Sequence, residues 1–119
     1  IPRILHMDSL RGSHSALENC IKRYLWEDWK QHHNDHGKDV FTKFDRLDFI
    51  ELKLPQQENF FDCGLFLLHY AELFLEHVSN SSPLANFEGT LNEGWFHPAE
   101  VTLKKRNQIR KLIRKIAND

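Results

Sequence analysis

The stretch from Leu54 to Tyr70 constrains this chain more than any other, because a polar turn, Pro55-Gln56-Gln57-Glu58-Asn59, runs into an apolar segment with Cys63 at the junction. Between Leu65 and Leu75 only His69 and Glu72 are polar, a pattern that fits a helix too apolar to face water on all sides. The spacing predicts a central buried helix from Cys63 to about Val78, with His69, Glu72 and Glu76 along one more polar stripe. A thiol at a helix N-terminus faces unpaired backbone N–H groups and the positive end of the macrodipole, and both favour thiolate over thiol. Cys63 therefore sits where a nucleophile is made. The competing reading is a small buried cysteine opening a core helix.

The neighbours of Cys63 bear on that choice. Gln57, six residues upstream, lies in a turn that could fold its side-chain amide back toward the thiol. Attack on a carbonyl puts negative charge on oxygen, and a fixed amide N–H together with the Cys63 backbone N–H would form an oxyanion hole. Gly64 lets a substrate backbone approach closely. Asp62 is placed to cap the helix by accepting from its first N–H groups.

Upstream, Arg3 to Asp8 reads as a short buried strand with Asp8 at its C-terminal end. Ser15-Ala16-Leu17-Glu18 matches a capping box, and Leu17, Cys20, Ile21, Tyr24, Leu25 and Trp29 recur at helical spacing, predicting a helix from Ser15 to Gln31 with Cys20 in its core stripe. The polar run His32 to Asp39 reads as a loop; His32, His33, Asp35 and His36 offer ligand atoms, but Gly37 and the lack of a second ligand pair favour a solvated connection, and no metal is expected. Phe49 to Leu54 alternates as a strand. Ser79 to Pro83 ends the long helix, Leu84 to Gly94 has no clear period, and Pro98 opens a last helix over Ala99 to Ala117. Seven of the residues from Lys104 to Lys115 are basic and none is acidic, leaving about −8 on the rest of the chain. That run is a solvated face or a contact for an acidic partner; without interleaved aromatics, nucleic acid is not an expected partner.

A length of 119 residues and 40% hydrophobic content fit one domain or part of one, and a formal net charge of −1 gives no global attraction to nucleic acid or membrane. Two cysteines make no disulfide framework and suit a reducing compartment. No run reaches the length of a membrane span and the start does not resemble a signal peptide. The opening Ile1-Pro2-Arg3, without an initiator methionine just ahead of a strand, suggests a piece of a longer protein.

Pro55-Gln56-Gln57, then Asp62-Cys63-Gly64, with Met7-Asp8-Ser9-Leu10 upstream, resemble the signature of the Ulp/SENP family of SUMO-specific cysteine proteases, and the segments Ile4 to Leu10, Leu17 to Trp29 and Leu65 to Leu75 are most similar to its plant Ulp2-like branch. The resemblance implies an α+β, papain-like fold of which this chain is the C-terminal portion. It implies Cys63 as nucleophile, Asp8 as the acid that orients a histidine, and Gln57 as oxyanion donor. The family's histidine precedes the aspartate and is not in this chain. His6, two residues before Asp8, shares one strand face with it without aiming its imidazole at Cys63, and His69 lies about 9 Å along the helix axis from the thiol. The implied activity is a deSUMOylating isopeptidase acting after the SUMO diglycine, with SUMO and its conjugates as partners, no cofactor, a monomeric state, and a nuclear location with the cytoplasm as the other compartment. Two other classes stay open: a non-catalytic SUMO-binding module of the same fold, and a nucleic-acid or scaffold contact through the basic C-terminal helix.

Overall fold

The computed structural model describes residues 2–12, 14–80 and 89–119. The chain divides into two compact regions: region one holds Ile1–His6 and Gly12–Glu51, region two Met7–Arg11 and Leu52–Asp119.

In region one, β1 (Arg3–His6) pairs in parallel with β2 (Asp48–Glu51), Ile4 opposite Phe49 and Leu5 opposite Ile50. Parallel neighbours need a long crossover, and here α1 (Leu17–His32) and α2 (Lys38–Asp45) supply it. The two helices meet through aromatic rings, Trp26 on Phe41 at 5.3 Å and on Phe44 at 5.7 Å, and Trp29 on Phe44 at 5.7 Å. Those contacts decide which side of α1 faces inward. Trp26 and Trp29 turn toward α2, so Cys20 and Tyr24, on the far side of a helix with 3.6 residues per turn, are exposed, and Cys20 is not a core residue. The Ser15 capping box does not form either: Ala16 occupies the N-cap in helical geometry without a side-chain cap, and α1 opens with backbone bonds such as Leu17 N–H to His14 O at 3.0 Å.

The loop expected over His32–Asp39 is shorter, since α1 runs through His32 and α2 begins at Lys38 behind Gly37. Its histidines turn to backbone carbonyls: His32 Nδ1 to Asp28 O, His33 Nδ1 to Trp29 O, and His36 Nε2 to His33 O. The strand expected over Phe49–Leu54 stops at Glu51, because β1 offers only four residues to pair with. Beyond Glu51 the chain enters region two, where Leu54 is fully buried.

Region two is built on α3 (Cys63–Asn80), which starts at the residue where the sequence placed its beginning. Phe66 and Tyr70 bury one face of α3 against Phe96, and Trp95 stacks on Tyr70 at 6.1 Å. The other face departs from the expected burial: Leu67, Leu68, Leu75 and Val78 are exposed. His69 also leaves the expected polar stripe. Its imidazole is 12% exposed and packs edge-on against Phe96 at 4.5 Å. The segment after Asn80 lies outside the described residues as far as Glu88.

Pro98 opens the last helical run as expected, and the His97 ring accepts from Ala99 N–H at 3.1 Å to cap it. The run is not uniform. Glu100–Lys105 is π-helical, and α4 (Arg106–Asn118) follows. The first inward cations of the basic stretch are engaged inside region two, Lys105 with Glu72 and Arg106 with Asp62, while Leu112, Ile113 and Ile116 of α4 are exposed. Among the described residues no helix is long and apolar enough to cross a membrane.

Candidate active site

The site lies within region two, where the short segment Met7–Arg11 meets the start of α3. Three hydrogen bonds join that segment to the polar turn, and a fourth holds the turn to Leu54. Gln57 N–H donates to Ser9 O at 3.0 Å, Gln56 Nε2 donates to Asp8 O at 2.8 Å and to Leu54 O at 3.0 Å, and Ser9 Oγ donates to Gln57 Oε1. Ser9 and Gln57 are both buried, so these bonds form where water competes poorly. The Asp8 carboxylate accepts from Leu10 N–H at 3.0 Å, which fixes the turn that presents it.

The result is an open cleft of about 270 Å³ in which Cys63 and Asp8 line the same space, with Met7, Ser9, Leu67 and Tyr70 as further walls. Cys63 is exposed. Beside it, a Cβ at Gly64 would meet nothing within 4 Å, so packing does not require glycine there and the space is free for a ligand. Among the described residues lining the cleft there is no imidazole. His69 faces Phe96 and Glu100 instead, and His6 packs on Phe49 and His14 in region one.

Gln57 is not among the residues lining this cleft. Its Oε1 is taken by Ser9, and one amide N–H goes to Asn59 O at 2.7 Å. An amide carries two N–H donors, so this arrangement fixes the plane of the group and leaves one donor. Asp62, 2% exposed, does not provide the expected side-chain cap. One carboxylate oxygen pairs with Arg106, and the other accepts from Asn59 Nδ2 at 2.8 Å; its backbone carbonyl accepts from Phe66 N–H at 3.1 Å instead. Asn59 closes the turn by accepting from Phe61 N–H at 3.1 Å and Asp62 N–H at 2.9 Å, an Asx-type arrangement.

Tyr70 forms the floor and donates its hydroxyl to Pro55 O. Burial, with the Asp8 carboxylate adding to it, pushes the phenol up to about 12, so the group stays a neutral donor. Sequence reasoning passed over Ser9, Gln56, Asn59, Tyr70 and Arg106. Only Asn59, a turn-forming residue three before Asp62, carried a local signal.

A thiol and a carboxylate thus line one cleft at a helix N-terminus, with a buried amide bonded to its wall through Ser9. Residues 2–92 match the Ulp1 protease family, C-terminal catalytic domain. This chain belongs to that family. As a Ulp1-family chain it is 53% identical over 116 residues to the probable ubiquitin-like-specific protease 2B of Arabidopsis thaliana, covering 95% of this chain and 12% of that protein. It is 43% identical over 111 residues to the probable ubiquitin-like-specific protease 2A of the same plant, covering 90% and 14%. With the sentrin-specific protease 6 of Mus musculus it shares 39% identity over 117 residues, 97% of this chain and 10% of that protein. The identities with the two plant type 2 proteins agree with the resemblance to the Ulp2-like branch. This Ulp1-family chain thus spans about a tenth of the length of the relatives it matches.

Proposed function

We propose that this chain is the C-terminal part of a single Ulp-type, papain-like catalytic domain, and that the domain is a SUMO-specific cysteine protease releasing SUMO after its C-terminal diglycine. The observation that carries the reading is the cleft at the start of α3, where Cys63 and Asp8 line one space. Cys63 is the nucleophile. Asp8 orients an imidazole supplied by the part of the domain upstream of Ile1, and the remaining Gln57 amide N–H, with the Cys63 backbone N–H, receives the oxyanion. The thiolate attacks the glycine carbonyl, the imidazolium gives its proton to the leaving lysine amine, and water then hydrolyses the thioester. SUMO and SUMO conjugates are the partners, a monomer suffices, and the nucleus is the place of action. The relatives' names, ubiquitin-like-specific and sentrin-specific protease, support the substrate class.

The test uses the complete catalytic domain and a SUMO–lysine conjugate. Cys63→Ala abolishes cleavage while SUMO binding, followed by calorimetry, is retained. Turnover by the alanine variant would overturn the cysteine-protease reading. Wild-type domain that binds SUMO and cleaves nothing would favour a binding module built on the same fold.

A further inference from the structure

We infer that Arg106, the first residue of α4, is a positioning residue for Cys63 and for the amide of Gln57. The inference rests on the reading of Cys63 as nucleophile. Asp62 immediately precedes Cys63, and its side chain is 3% exposed, so its charge cannot be screened by water. Left alone, a buried carboxylate beside a thiol disfavours the thiolate by like-charge repulsion. The Arg106 guanidinium pairs with Asp62 Oδ1 and cancels that charge where it would do most harm.

The same contact anchors a chain of hydrogen bonds. Asp62 Oδ2 accepts from Asn59 Nδ2 at 2.8 Å, Asn59 O accepts from Gln57 Nε2 at 2.7 Å, and Gln57 Oε1 accepts from Ser9 Oγ. Arg106 is thus the last link of a network that begins at Ser9, the residue after Asp8, passes through the amide and ends at Asp62, the residue before Cys63. Its neighbour Lys105 is turned inward as well, onto Glu72 of α3. Two consecutive cations thereby tie the last helical run to α3 and to the residue that precedes it, and the basic stretch is in part internal wiring of the site.

Two effects follow from losing Arg106, and they can be separated. An uncompensated charge at Asp62 slows thiolate chemistry whatever the substrate, whereas a slack network moves the amide and lowers kcat without changing how SUMO is held. The experiment uses the complete domain in a Cys20→Ser background, because Cys20 is also exposed. Alkylation of Cys63 by neutral iodoacetamide at pH 7 is measured beside kcat and KM on a SUMO–lysine conjugate, with circular dichroism as the fold control. Arg106→Gln should slow alkylation on the order of tenfold and lower kcat by at least as much, with KM unchanged. Arg106→Lys should restore most of the alkylation rate. Adding Asp62→Asn to Arg106→Gln, which removes the stranded charge and keeps an acceptor for Asn59, should restore it too.

Unchanged alkylation and kcat in folded Arg106→Gln would overturn the inference. So would a double variant that remains as slow as the single one, since the charge would then not be the cause. If Arg106→Gln fails to fold, the double variant decides: folded with near-normal alkylation upholds the role, and folded but slow, or unfolded, overturns it. Alkylation needs no substrate, so a wild-type domain that cleaves no SUMO conjugate defeats the protease reading while these alkylation rates still judge Arg106.

Discussion

Region one and region two use apolar side chains in opposite ways. Among the described residues the buried apolar side chains Leu54, Pro55, Phe66, Tyr70, Leu91, Phe96 and Val101 all belong to region two, and so do the buried polar ones, Ser9, Gln57, Asp62 and Lys105. Neither α1 nor α2 buries a residue completely, and the strands of region one are half-buried. Region one is held by partly exposed aromatic pairs and a two-stranded parallel ladder. Region two combines a dry core with a polar network that has little freedom to rearrange. The thiol, the carboxylate and the amide all lie in region two, which suits the proposed chemistry, since that would need its reacting atoms placed to within a fraction of an ångström.

The largest expected effect tests the contrast directly. Phe66→Ala removes a ring with no exposed surface and should destabilise the complete domain by about 3–5 kcal/mol. Phe41→Ala, which removes a 44% exposed ring and its contact with Trp26, should cost about 1 kcal/mol. Denaturant unfolding of both variants measures the two costs. Equal losses would break the comparison, because the aromatic pairs of region one would then form a core as tight as that around α3.

Next in size is the amide. Gln57→Ala should lower kcat on SUMO conjugates by roughly 10²–10³, the range for one lost oxyanion donor. Gln56→Ala sharpens the result: it cuts the bond to Asp8 O and keeps the Gln57 amide, so its loss of kcat should be smaller. A change in KM alone for Gln57→Ala would assign that residue to holding substrate.

A third effect comes from Tyr70. Tyr70→Phe leaves the Pro55 carbonyl without its hydroxyl partner and should cost about 1–3 kcal/mol. The pH dependence carries its own sign. Folding raises the phenol from 10.0 to about 12, so above pH 10 the unfolded chain releases a proton that the folded chain keeps. Stability attributable to this group is full below pH 10 and is lost as pH rises through 12. An alkaline unfolding profile that is the same in Tyr70→Phe would remove Tyr70 from that account.

What could be read from the sequence divides along the same line. The start of α3 at Cys63 was legible to the residue, because composition changes abruptly there and an apolar run of that length has few other folds. The pairing of Asp8 with Cys63 was suggested only by the family resemblance that three motifs carry, which local physics does not supply. The bonds that set this geometry join residues far apart in the chain, Gln56 and Gln57 to Asp8 and Ser9, and Arg106 to Asp62. No periodicity encodes them. In region one the error was one of phase. Cys20 and Tyr24 fit an apolar stripe on paper, but Trp26 and Trp29 had a helix to meet, and rotating α1 toward it exposed the other two. The same limit explains α2, eight residues whose inward face exists only because α1 is there to receive it.

The smallest expected effect concerns His69, which separates the packed interior of region two from its chemistry. Neither ring nitrogen has a hydrogen-bond partner among the described residues, Glu100 Oε2 stands 4.0 Å from Nε2, and Lys105 lies near enough to repel an imidazolium. Burial, followed by that repulsion, pulls the imidazole below its ordinary 6.5, and the carboxylates of Glu100 and Glu76 offset only part of this. The unfolded chain therefore binds a proton at this group before the folded chain does. Its contribution to stability is full above pH 6.5 and is lost as pH falls from there through the lowered folded value. His69→Phe preserves the ring packed against Phe96 and removes the titration, so its unfolding free energy should fall less than that of the wild type between pH 7.5 and pH 5. Cleavage at neutral pH should change little, because His69 does not line the cleft that holds Cys63 and Asp8. Equal slopes would place the titration elsewhere, and a large loss of turnover in folded His69→Phe would tie the interior of region two to the reaction after all.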